Sequence, residues 1–147
     1  MGAPGFAALL EQLTPIDPAD LDAHLPTEFV TDAERPAVIT EMLADIPLPD
    51  GLAAADIASA EASRDQLGAD VTSAVTCRWL DIYLTGVESG DDAAVADAQE
   101  ALGTARDWAI LQEMRPQGGW SPVIWQLADL VVAGDPAVAE QSQGIGC

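Results

Sequence analysis

The chain has 147 residues, of which 25 are carboxylates, five are arginines, one is histidine and none is lysine, for a formal charge of −20. So few cations exclude affinity for DNA, RNA or an anionic membrane, because such binding comes from Lys and Arg neutralising phosphates. The missing lysine also removes Schiff-base and phosphate-loop chemistry, and a single histidine removes most acid–base and metal arrangements.

Apolar residues make up 49% of the chain, much of that alanine, and aromatics only 5%. Alanine enters a helix at the least cost, so this composition predicts an all-α fold, with residues 1–147 forming one domain. No stretch approaches the roughly 20 apolar residues that span a bilayer. The most apolar run, Val71 to Val87, is interrupted by Arg78 and Asp81, so direct membrane insertion is not expected. Met1-Gly2-Ala3-Pro4-Gly5-Phe6 shows no basic region ahead of an apolar stretch, and Phe6 stands where a myristoylation signal needs Ser or Thr. The acids are spread along the whole chain, which predicts a solvated, self-repelling surface that favours cationic partners.

Residues 1–50 are punctuated by proline. Phe6, Leu9, Leu10 and Leu13 share helical spacing up to Thr14-Pro15, and Asp17-Pro18 opens a short helix that runs through Leu25 to Pro26. Ile39, Met42, Leu43 and Ile46 form the next stripe. Thr31 and Glu34 have capping-box spacing, but Pro36 would clash inside the first turns, so the regular helix is expected from about Pro36. Pro47-Leu48-Pro49-Asp50-Gly51 is a loop.

Residues 63–143 carry the expected helical-hairpin core. A long central helix runs from Ser63 to Glu88, with Leu67, Val71, Val75, Trp79, Ile82 and Gly86 in 3.6-residue rhythm and Ala74, Arg78 and Tyr83 beside them. Gly68 costs that helix about 1 kcal/mol relative to Ala, which points to another helix crossing closely there. Asp91 or Asp92 then caps a helix carrying Val95, Ala98 and Leu102, and Thr104 caps one carrying Trp108, Leu111 and Met114. Ser121-Pro122 starts a helix with Ile124, Leu127 and Val131, and Trp120 and Trp125 occupy the positions of a hydrophobic staple. Gly134-Asp135-Pro136 separates it from a last short helix. Trp79 to Ala96 and Trp125 to Ala139 echo one another, and shared turn chemistry accounts for the echo more simply than duplication. Loops this short predict antiparallel hairpins.

The run from Leu67 to Asp81, with Ala105-Arg106-Asp107-Trp108, Gly118-Gly119-Trp120 and Trp125, resembles a segment of uncharacterised actinobacterial proteins with an acidic, Trp-containing helical domain. The resemblance covers roughly Pro36 to the C-terminus. It implies an extracytoplasmic domain behind a short cytosolic tail and one membrane helix, neither of which is visible in this chain. It brings no activity, cofactor or catalytic residue with it.

Chemistry is concentrated in two places. Cys77 and Cys147 either form a bridge closing a loop of about 70 residues, worth roughly 4 kcal/mol, or remain a buried small residue and a free tail thiol. A bridge suits an exported domain, and free thiols a cytoplasmic one. Cys147 on its Gly-Ile-Gly tail would also serve as the modified residue of a carrier or precursor protein. Trp79, Trp108, Trp120 and Trp125 either pack the core or line a cleft for a small molecule or a partner.

The remaining candidates are weaker. Asp20 and His24 have i, i+4 spacing without the further ligands of a zinc site. The pairs Glu41 with Asp45 and Asp97 with Glu100 are expected to be solvated surface. Arg78, Arg106 and Arg115 are each expected to pair with a carboxylate, with Arg78 partly buried. No catalytic residue, cofactor or metal site is expected. These features together suggest a non-enzymatic interaction or sensory domain for a protein partner, with the Trp and Ala-rich faces supplying contact and the acids selectivity.

Overall fold

A 26-residue helix, Arg64–Ser89, runs through the centre of the molecule in the computed structural model, which describes residues 29–147. The helices expected at Phe6–Leu13 and Asp17–Leu25, and His24 with them, lie outside the described residues. The described chain is all-α, with α1 Arg35–Leu43, α2 Arg64–Ser89, α3 Asp92–Leu102, α4 Ala109–Met114, α5 Trp120–Ala133 and α6 Val138–Gln141. Short 3-10 turns at Ala54–Asp56, Ala105–Asp107, Arg115–Gln117 and Ser142–Ile145 join or extend them. The extended pairing among the described residues is one isolated bridge between Phe29 and Ser63.

At about 39 Å, α2 is long enough for every other helix to find a place on or near it. Leu67, Val71, Val75, Trp79 and Gly86 are buried as their spacing predicts. The buried face is wider than that stripe: Thr72, Thr76, Leu80 and Tyr83 are buried too, whereas Ile82 is only half-buried. A helix covered from several sides needs a broad apolar face, and a single stripe suffices only for one neighbour. One core cluster unites these residues with Ile39, Met42, Leu43 and Ile46 from α1 and its exit, and with Ala98 and Leu102 of α3. Leu111, Ile124, Leu127 and Val131 complete it from α4 and α5.

Glycine decides two close approaches. A Cβ at Gly86 would lie 3.1 Å from Val95 Cγ2 and 3.3 Å from Ala94 Cβ, so α3 packs tightly on the end of α2. Gly90 adopts φ +74°, and Asp91 Oδ1 accepts from the Ala94 amide at 3.1 Å, so the turn ends one helix and caps the next. Gly68 is where α4 crosses: a Cβ there would meet Met114 Sδ at 2.8 Å and Ile110 Cγ1 at 3.0 Å. Gly68→Val is therefore expected to destabilise the protein by about 1–3 kcal/mol through overpacking, read as a lower urea midpoint at unchanged m-value. The echo between the two halves also reduces to turns, because Gly134 repeats the left-handed conformation and Asp135 Oδ1 accepts from the Ala137 amide at 2.9 Å.

Several expected starts move by a residue or change character. α1 begins at Arg35, with Pro36 in its first turn. Thr31 and Glu34 do join, Oγ1 to Oε1 at 2.8 Å, but they close the preceding turn. The helix expected after Thr104 is broken, because Trp108 takes an extended conformation between a 3-10 turn and the six-residue α4. Thr104 does not cap it: its hydroxyl donates to Ala101 O at 2.7 Å and accepts the Trp108 indole N–H at 3.0 Å. The amide at the start of α4 is satisfied from far away, with Ala109 N donating to Asp45 Oδ2 at 2.7 Å. Asp45 is thus a tertiary cap and not idle surface. Asp45→Ala should cost about 1–2 kcal/mol, and amide exchange should accelerate first in α4.

Candidate functional site

The four indoles set the terms for any site. Trp108 is fully buried, Trp79 and Trp125 keep only 8% and 9% of their surface, and Trp120 is half-buried. Each N–H is engaged internally: Trp79 with Pro47 O at 2.9 Å, Trp120 with Thr72 Oγ1 at 2.8 Å, and Trp125 with Ala105 O at 3.0 Å, alongside the Trp108 bond to Thr104. Trp120 is itself the first residue of α5, with Gly119 at the cap, so it does not hold the position ahead of the cap that a staple requires. A buried indole must find an acceptor, and these four use main-chain carbonyls or threonine hydroxyls close at hand.

Among the described residues, Trp79 and Trp120 line different grooves. Trp79 lines a groove of about 320 Å³ with Pro47, Leu48, Ala101 and Thr104, edged by Asp97 and Glu100. Trp120 lines a separate one of about 260 Å³ beside Met114, Gln117 and Asp65. Trp125 carries the Arg106 guanidinium 6.0 Å from its ring centroid.

Cys77 and Cys147 are joined as a disulfide, with their Cα atoms 5.3 Å apart. The bond fastens the last residue to the middle of α2, and the Ile145 side chain tucks in beside it with 8% exposure. A groove of about 490 Å³ runs alongside, lined by Leu52, Leu80, Leu84, Arg78 and Asp81 as well as both cysteines. Arg78 is exposed here, not partly buried as expected. Its position on α2 turns it away from the core that Thr76 and Trp79 enter.

The arginines pair selectively. Arg35 holds Asp32 at 2.8 Å and Arg106 holds Asp129 through two bonds of 2.5 and 2.8 Å. Arg64 bridges three helices, reaching Glu113 at 2.6 Å and Glu41 at 3.1 Å. The hydrogen bond that Arg64 donates to Glu113 foremost, together with the one it donates to Glu41, raises its guanidinium above the usual range. Glu41 therefore ties α1 to α2 and is not merely solvated. The expected pairing is found for Arg106, and Arg78 and Arg115 have no carboxylate within ion-pair distance among the described residues.

The hydrogen bonds from Arg106 lower the Asp129 carboxyl below its ordinary value of 3.8. A depressed folded-state pKa stabilises the fold above the ordinary value, and that contribution fades as pH falls through the depressed one. Asp129→Asn should therefore differ slightly from wild type in thermal midpoint at pH 6, with the difference shrinking as pH falls below 3.8. Both partners are exposed, so the effect is small.

Among the described residues no three His, Cys, Asp or Glu side chains gather as a metal centre, and no helix is long and apolar enough to cross a membrane. No protein family, characterised protein or solved structure matches this chain. What function it has must be read from its own surface. Sequence reasoning did not single out Leu48, although an apolar residue between two prolines has no helix to bury it. Its 38% exposure at the mouth of the Trp79 groove follows from that placement.

Proposed function

We propose that this chain is a non-enzymatic, acidic helical interaction domain that binds a basic protein partner. The observation that carries this reading is the charge balance at the surface. Among the described residues, Arg35, Arg64 and Arg106 are held by carboxylates and most of the acids stay unpaired. A uniformly negative surface of this kind accelerates encounter with cationic partners and rejects anionic ones. The apolar contact comes from grooves beside the acids, because the indoles themselves are largely engaged in packing.

The Cys77–Cys147 bond supports an oxidising, extracytoplasmic setting, in keeping with the resemblance to actinobacterial extracytoplasmic domains. It also argues against Cys147 as the modified residue of a carrier, since that sulfur is already bonded. The separation of the tryptophans into different grooves argues against one aromatic cleft for a small molecule.

The test is zero-length carbodiimide coupling in the native host, which joins carboxylates to partner amines, followed by reconstitution of the captured pair from purified components. Saturable one-to-one binding that weakens with salt supports the reading. Binding no tighter than to an unrelated acidic protein of equal charge would overturn it.

A further inference from the structure

The fold contains its own example of how it holds an arginine. Arg106 sits over the Trp125 ring, 6.0 Å from its centroid, while both of its terminal nitrogens reach the Asp129 carboxylate. An aromatic surface plus a carboxylate suits the flat guanidinium better than a lysine ammonium, because it can stack and form paired bonds at once.

The Trp79 groove has the same components without the arginine. Trp79 forms part of its floor, and Asp97 and Glu100 stand at its edge, three residues apart on the exposed side of α3. Neither carboxylate has a cation within ion-pair distance among the described residues. No lysine or arginine precedes Arg35, so the residues outside the described part carry neither side chain. Leu48, Pro47 and Ala101 extend the apolar surface beyond the indole. The volume of about 320 Å³ is at the small end of ligand clefts, enough for side chains of a peptide but not for a folded surface.

We infer that the groove between α3 and the Pro47–Leu48 loop receives an arginine and a neighbouring aliphatic residue from an extended basic segment of the partner protein. The guanidinium pairs with Asp97 and Glu100 against the small part of Trp79 left exposed, and the aliphatic side chain covers Leu48. The inference rests on the interaction reading above and names the site and chemistry of contact.

The probe is acetyl-Leu-Arg-Leu-Arg-Leu-Arg-amide, titrated into the full ¹⁵N-labelled chain, with peptides carrying Ser for Leu or Glu for Arg as controls. The Trp79 indole N–H, hydrogen-bonded to Pro47 O at the groove, is the local readout. Its resonance should move with the first peptide, less with the Ser peptide and not with the Glu peptide, while the Trp108 resonance stays fixed. Joint Asp97→Asn and Glu100→Gln substitution should weaken binding about tenfold. Glu88→Gln with Glu140→Gln removes the same charge elsewhere and should weaken it about twofold or less.

Equal losses in the two double variants would overturn the groove and leave a general electrostatic partner surface standing. A Trp79 shift that grows with protein concentration alone would overturn it in favour of a second copy of this chain. Absence of binding by any basic peptide at low salt would sink both the groove and the interaction reading.

Discussion

Reduction of the Cys77–Cys147 bond is expected to lower the unfolding free energy by about 4 kcal/mol. The bond closes a loop of 70 residues that includes the second half of α2 and everything after it. Cross-linking so long a segment removes many conformations from the unfolded chain, which is where the stabilisation arises in the loop-entropy view. The native structure holds the tail by little else. Ile145 is buried there, Gly144 and Gly146 flank it, and the Ser73 hydroxyl reaches Ile145 O at a long 3.4 Å.

Urea unfolding of oxidised protein, reduced protein and Cys147→Ser should give two low midpoints and one high one. The reduced forms should also show a larger m-value, because their unfolded state is more open. Three coincident midpoints would mean that residual structure already holds the two ends of the loop together in the unfolded chain. Thiol counting on protein from the native host completes the experiment, since free thiols there would remove the support for an oxidising compartment.

Trp108→Ala should cost about 3–5 kcal/mol, a larger loss than substitution at Gly68 or Asp45 should bring. Trp108 has no exposed surface and stands where the 3-10 turn meets α4, with its own carbonyl accepting from the Leu111 and Gln112 amides. Truncation leaves a cavity in the core cluster, and it strips Thr104 of the indole donor. Trp108→Phe separates the two effects by retaining most of the ring volume, and should cost about 1–2 kcal/mol through the lost hydrogen bond and residual space. Trp120→Phe, at a half-buried position, should cost less than Trp108→Ala. An order in which Trp120 mattered more would show that the tryptophan at the α5 start, and not the one before α4, anchors the core.

The two results bear on function in different ways. The disulfide acts on the loop as a whole, so its loss should leave the Trp79 groove intact while the protein remains folded. Trp108 is tied to the end of α3 by a chain of hydrogen bonds, from its indole to Thr104 just beyond the helix and from the Thr104 hydroxyl to Ala101 O. Its truncation should therefore weaken peptide binding even in molecules that stay folded.

Much of the helical framework was legible in the residues. The central helix was expected from Ser63 to Glu88 and is found from Arg64 to Ser89, because a 3.6-residue apolar rhythm and a closing glycine are local signals. Asp91 was one of two expected caps and is the one used. Gly68 was readable as a close crossing, because a glycine kept within a long helix needs a reason. The break at Trp108 was not legible: its spacing to Leu111 and Met114 fits a continuous helix, and burial of the whole indole decided otherwise. The two readings of Cys77 and Cys147 were equally open in the sequence, since spacing of 70 residues says nothing of distance.

By itself the sequence determined an acidic all-α chain and the span of its main helix. These follow from composition, periodicity and capping, each of which acts within a few residues. Only the tertiary structure decided that Asp45 caps a helix 64 positions away, that Arg64 joins Glu41 to Glu113, and that Leu48 meets Trp79 and α3 in one groove. Such pairings depend on which helix faces pack together. That choice is made by the shape of the whole core, where every apolar stripe must find a partner at once.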